Sequence, residues 1–206
     1  MDFKELVSIN WKEIKEETII HYDEVLELCK RPYPNHPKGC PNQEKCRSLA
    51  IPSFKEFKEK NKNYFYYLVH AYFDFGSYKQ IRKREHPDWT EQQVKCVLYW
   101  QGSVKKHLAD YIENIRKGNP PFYVYGCGSG LKLFFQKIVG SMEAARINVF
   151  STLKLNRIPF ELNPENNVIL CCLLCSRVPL KFDIEKEKHV FYYLDKFCKQ
   201  ANGGSK

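Results

Sequence analysis

Tyr64–Phe75, YFYYLVHAYFDF, is the stretch that decides the fold. It is dense in aromatic and β-favouring residues, which predicts a central strand. Gly76-Ser77 turns the chain into a short basic helix over Tyr78–Glu85. On the N-terminal side, Ser53–Asn63 has helical composition, with Phe54 and Phe57 three apart on one face. Further back, TIIHY and then Val25, Leu26 and Leu28 predict a strand ending near Cys29.

Downstream, Thr90 and Gln93 form a capping box. Val94, Val97, Leu98, Val104, Leu108, Tyr111, Ile112 and Ile115 keep a helical stripe until Gly118 stops it. Phe122–Tyr125 is a second core strand, which Gly126–Gly130 turns into an apolar helix beginning near Leu131. Ser141–Leu155 is expected to be a helix, Asn167–Cys175 (NVILCCLLC) a buried strand and Lys186–Gln200 a closing helix. This alternation predicts a single-domain α/β fold over residues 1–200, a mixed sheet flanked by helices, with 201–206 a frayed tail.

Between the first strand and the first helix lies Cys29–Ser53, CKRPYPNHPKGCPNQEKCRSLAIPS, whose five prolines and single glycine exclude regular structure. A loop of that length inside a compact domain needs a reason, and its thiols supply one. Cys29, Cys40 and Cys46 stand among lysines and arginines, which favour the thiolate form that binds soft metals. Cys127, in the glycine-rich turn, is a candidate fourth ligand, and His36 is the local alternative. Four cysteine ligands would suit an iron–sulfur cluster, whereas a Cys₃His set would suit zinc.

The composition bounds the remaining possibilities. The 206 residues carry nine cysteines, and the odd count without a secretion signal points to reduced thiols in the cytoplasm. The N-terminus is too charged for a signal peptide, and no run of about 18 apolar residues exists to cross a membrane. A net charge of +9 leaves nucleic acid open as a partner, with exposed aromatics such as Tyr33 as stacking surfaces. Gly126, Gly128 and Ser129 form an anion-binding nest in outline, but the spacing matches neither a P-loop nor a dinucleotide fingerprint. Cys171, Cys172 and Cys175 fall on alternating strand faces among aliphatic residues and read as core packing, as does His70. His86, Asp88 and Trp89 read as the staple and cap ahead of the helix. No hydrolytic motif is present, and no substrate follows.

The loop from Arg31 to Cys46, together with SMEAARINVFSTLKLNRIPFELNP (Ser141–Pro164), resembles an uncharacterised family of predicted metal-binding proteins. That family carries a Cys-Pro-Pro-type loop and a distal Met-Glu-Ala…Asn-Val-Phe motif. The likeness covers about residues 22–50 and 137–174, and HPDWTEQQ…YWQGSVKKHL is similar to a subset of relatives. It implies metal ligation by Cys29, Cys40 and Cys46, and assigns no role to Glu143 or Asn148. Two departures stand out: Cys46-Arg47-Ser48 replaces Cys-Pro-Pro, and a further cysteine group of many relatives is reduced to Cys127. The functional expectation is therefore one iron–sulfur centre, either passing electrons to a redox partner protein or serving as part of an unidentified redox system. A structural-zinc protein that binds nucleic acid is the alternative.

Overall fold

The computed structural model describes residues 3–32, 37–40, 51–128, 131, 133 and 138–182. Five strands form one mixed sheet: β1 (Val7–Ile14), β2 (Phe65–Asp74), β3 (Tyr123–Gly126), β4 (Ile138–Ser141) and β5 (Asn167–Ser176). Their spatial order is β1-β2-β5-β3-β4, antiparallel except for the parallel β3–β4 pair. The expected α/β class is therefore what the chain adopts.

Residue alternation along β2 and β5 divides the core into two layers. Tyr67, Val69, Ala71 and Phe73 with Cys172 and Leu174 face a layer covered by α5 (Gln101–Lys117), whose Val104, Leu108 and Ile112 are fully buried. Tyr66, Leu68 and Tyr72 with Cys171, Leu173 and Cys175 face the other layer. That one is covered by α2 (Phe54–Lys60) and α6 (Val149–Leu155). Helix α3 (Phe75–Glu85) follows β2 directly, because Asp74 accepts from the Ser77 N–H at 2.8 Å and caps it. Gly76-Ser77 thus lies inside the first turn rather than ahead of it.

Several elements differ from expectation. Val25–Leu28 is one helical turn, α1, and not a strand, and of its residues only Val25 is buried. The first strand is instead β1, whose Val7, Ile9 and Trp11 alternate onto the α5 layer. The stripe from Val94 to Ile115 is broken into α4 (Glu91–Val94), a tight turn at Val97–Tyr99 and α5. Trp100 causes the break, since burying its ring 5.1 Å from Phe73 rotates Leu98 out to 85% exposure.

Leu131 is not helical and folds back on Gly126, where an added Cβ would stand 3.3 Å from its side chain. Ser141–Leu155 is helical only over α6. Arg146 takes a left-handed φ of 66°, and Ile147 bridges to His21, so the chain cannot continue as a helix from Ser141. The closing helix expected over Lys186–Gln200 lies outside the described residues, as does Cys198.

Candidate metal centre and adjoining cavity

The cysteine loop starts from a docked platform. Asn148 donates its N–H to the Ile20 carbonyl at 2.8 Å, Tyr22 donates to the Arg146 carbonyl at 3.1 Å, and Arg146 pairs with Asp23 at 2.7 Å. These bonds hold residues 20–23 against the segment before α6, and α1 carries the chain on to Cys29 at its C-terminal cap.

From there the loop doubles back. Gly39 is buried with φ +81°, and a Cβ there would meet the Cys29 carbonyl and stand 2.9 Å from the Lys30 Cα. Only glycine allows this approach. The result is that the Cys40 N–H donates to the Cys29 carbonyl at 2.7 Å, so the backbones of two of the expected ligands are neighbours.

Cys127 reaches the same region from the other end of the molecule. It follows β3, which pairs with β5 only from Tyr123↔Cys175 to Tyr125↔Leu173 and then leaves it. The space between the departing chain and the first half of β5 is a cavity of about 330 Å³. Cys29, Cys127 and Cys171 all line it, with Glu143, Lys105, Gln101 and Gly128. Its apolar wall includes Ile147, Leu153, Ile169 and Leu170.

The electrostatics differ from thiol to thiol. A hydrogen bond with the Cys172 thiol, aided by Lys105, holds the Cys127 thiol below its ordinary range against the opposing effect of burial. Burial pushes the Cys171, Cys172 and Cys175 thiols well up. Burial also raises the Glu143 carboxyl, while its own backbone, the Ser141 hydroxyl and the Gly128 N–H work against that rise. Glu143 Oε2 is shut off from solvent and has no hydrogen-bond partner among the described residues.

Of the expected ligands, Cys29 and Cys127 thus line one cavity and Cys40 is bonded through its backbone to Cys29, whereas Cys46 and His36 lie outside the described residues. Ser129 of the glycine-rich turn lies outside them too, as does Tyr33. Gly128 has φ +59°, and the predicted helix start at Leu131 is absent from the described residues around it. Cys171 and Cys175 face one core layer and Cys172 the other, as the alternation predicts. Alternation could not show that Cys171 reaches a cavity or that Cys172 partners Cys127, because both depend on where β3 leaves β5. Among the described residues, no three Cys, His, Asp or Glu side chains meet closely enough to hold one metal ion.

Other groups lie apart. His86 stacks on Trp89 at 4.0 Å, and its backbone N–H closes the C-terminus of α3 instead of starting the next helix, which Thr90 caps. His70 is buried beside Tyr72. The basic helix α3 is partly neutralised, since Lys79 pairs with Glu165 and Arg82 with Glu85 at 2.9 Å. No described helix is long and apolar enough to cross a membrane. No protein-family model, curated protein or solved structure matches the chain. The metal reading therefore stands on the thiols themselves.

Proposed function

We propose that the chain is a metal-binding protein carrying one iron–sulfur cluster, held by Cys29, Cys40, Cys46 and Cys127, that exchanges electrons with a redox partner protein. The observation that carries this reading is the convergence of Cys29 and Cys127 on one cavity, with Cys40 tied to Cys29 by a 2.7 Å backbone bond. Two distant parts of the chain each bring a cysteine to that lining.

Four cysteine donors suit a cluster, whereas zinc would accept a histidine among them. Lys105, Gln101 and the Gly128 N–H supply positive charge and donors beside Cys127, as an anionic cluster needs. All described cysteines are free thiols, which fits a reducing compartment such as the cytoplasm. When bound, the cluster would supply one-electron chemistry. The chain's own contribution is to fix the thiolates and limit water around them.

Protein purified anaerobically should be brown and contain iron with acid-labile sulfide. Cys40→Ser and Cys127→Ser should each lose most of that iron, while Cys96→Ser, which is not on the cavity lining, should keep it. Colourless protein containing only zinc rejects the cluster, and full iron content in Cys127→Ser removes that residue from the ligand set.

A further inference from the structure

We infer that the turn Val97–Tyr99, with the ring of Trp89 beside it, is a docking surface on which a second copy of this chain packs about a two-fold axis. The inference goes beyond the metal reading and stands without it.

The surface arises from one packing choice. Val97 and Leu98 belong by spacing to the apolar stripe that ends at Ile115, yet burial of Trp100 against Phe73 turns them outward. Leu98 is 85% exposed, with Val97 at 46% and Tyr99 at 50% on either side of it. No other run of consecutive large apolar residues among the described residues is exposed in this way. A single exposed leucine needs no explanation, but a contiguous apolar patch marks a contact.

The patch is also held in shape. The Tyr99 N–H donates to the Cys96 carbonyl at 3.2 Å and the Trp100 N–H to the Val97 carbonyl at 3.4 Å, which closes the turn. Trp89 stacks on His86 at 4.0 Å and on Tyr99 at 5.2 Å. Side chains fixed before contact lose little freedom on association.

Charge selects the occupant. The chain carries +9, so two copies repel unless they meet where charge is locally balanced. Beside this patch it nearly is. Lys79 and Lys95 both pair with Glu165, and Arg82 pairs with Glu85. Lys83 and Arg84 in the last turn of α3 then stand against Asp88 and Glu91 at the start of α4, and none of these four forms an ion pair among the described residues. Lys83 is fixed next to the rings, donating to the Trp89 carbonyl and to the Pro87 carbonyl at 3.1 Å. A two-fold contact is self-complementary: it sets the cations of each copy beside the carboxylates of the other. A single-stranded nucleic acid would stack on the same rings, but Asp88 and Glu91 would repel its phosphates. An aromatic and apolar centre inside a polar rim of both signs is how protein interfaces are built. The centre is small, so the dimer is weak and reversible.

Sedimentation equilibrium of the full chain in reducing buffer, from about 1 µM to about 500 µM, tests this. The expected result is passage from monomer to dimer within that range. Leu98→Lys should keep the circular dichroism and urea midpoint of the parent and weaken the dimer about tenfold or more. Leu162→Lys, at a position 69% exposed elsewhere, should leave the dimer unchanged. A variant with Lys83→Glu and Arg84→Glu, and another with Asp88→Lys and Glu91→Lys, should each self-associate more weakly than the parent, while their equimolar mixture recovers the dimer. A mixture no better than its components overturns the choice of a second copy as occupant. A chain that stays monomeric throughout, or a dimer that Leu98→Lys leaves intact, overturns the surface. Oligothymidylate binding that Leu98→Lys abolishes in a monomeric chain assigns the patch to nucleic acid and overturns the inference as well.

Discussion

Gly39 shows how much one residue decides here. Its left-handed backbone and its contact with the Cys29 carbonyl are what place Cys40 beside Cys29. Gly39→Ala therefore faces about 1–2 kcal/mol of backbone strain together with a direct clash. The loop should open, and iron content should fall as far as in Cys40→Ser while the far-ultraviolet circular dichroism stays unchanged. Gly102→Ala is the matching control, because a Cβ there meets nothing within 4 Å. It should keep its iron and gain up to about 1 kcal/mol of stability from a better helix former. At this scale the sequence was informative about the thiols, since cysteines in a proline-stiffened loop stand out. It was silent on Glu143, whose buried carboxyl is held by the Ser141 hydroxyl and the Gly128 N–H in a way that no local pattern encodes.

Among the elements, local chemistry was legible wherever caps and aromatic spacing controlled the outcome. Ser53 accepts from the Glu56 N–H at 3.1 Å while Glu56 accepts from the Ser53 N–H at 3.3 Å, closing a capping box at the start of α2. Ser53→Ala should cost about 1 kcal/mol, measured as a lowered urea midpoint with an unchanged slope. An unchanged midpoint would mean that packing of Phe54 and Phe57 alone fixes the helix. The same kind of signal located the Thr90–Gln93 box. Periodicity failed where a tertiary contact outweighed it. Burial of Trp100 divides the stripe ahead of α5, and the bonds from Ile20 and Tyr22 to Asn148 and Arg146 shorten the helix expected over Ser141–Leu155. Neither effect could be read from the residues involved, since each partner lies far away in the chain.

For the molecule as a whole, His70 couples stability to pH. Burial pushes its pKa down to about 4, against an ordinary value of 6.5, and nearby Lys12 acts in the same direction. The unfolded chain therefore binds a proton below pH 6.5 that the folded chain refuses until about pH 4. Stability should fall as pH drops through that window, by roughly 3 kcal/mol, and level off below it. His70→Leu should remove this slope between pH 6.5 and 4, as followed by urea unfolding at each pH. A slope that persists in the variant assigns the effect to other groups. Fold class was legible at this scale because β2 and β5 are continuous apolar runs that only a doubly covered sheet can bury. Strand order was not, because no local signal says that β5 inserts between β2 and β3.

That insertion has a consequence for how the chain comes into being. β5 is the last described strand to leave the ribosome, yet it is the seam that joins β1-β2 to β3-β4. Until it arrives, the nascent polypeptide holds two incomplete half-sheets with bare apolar flanks, and the gap in which Cys127 meets its neighbours does not yet exist. On the proposed reading a cluster can be assembled only once β5 has docked, and the interval before that is when chaperone cover matters most.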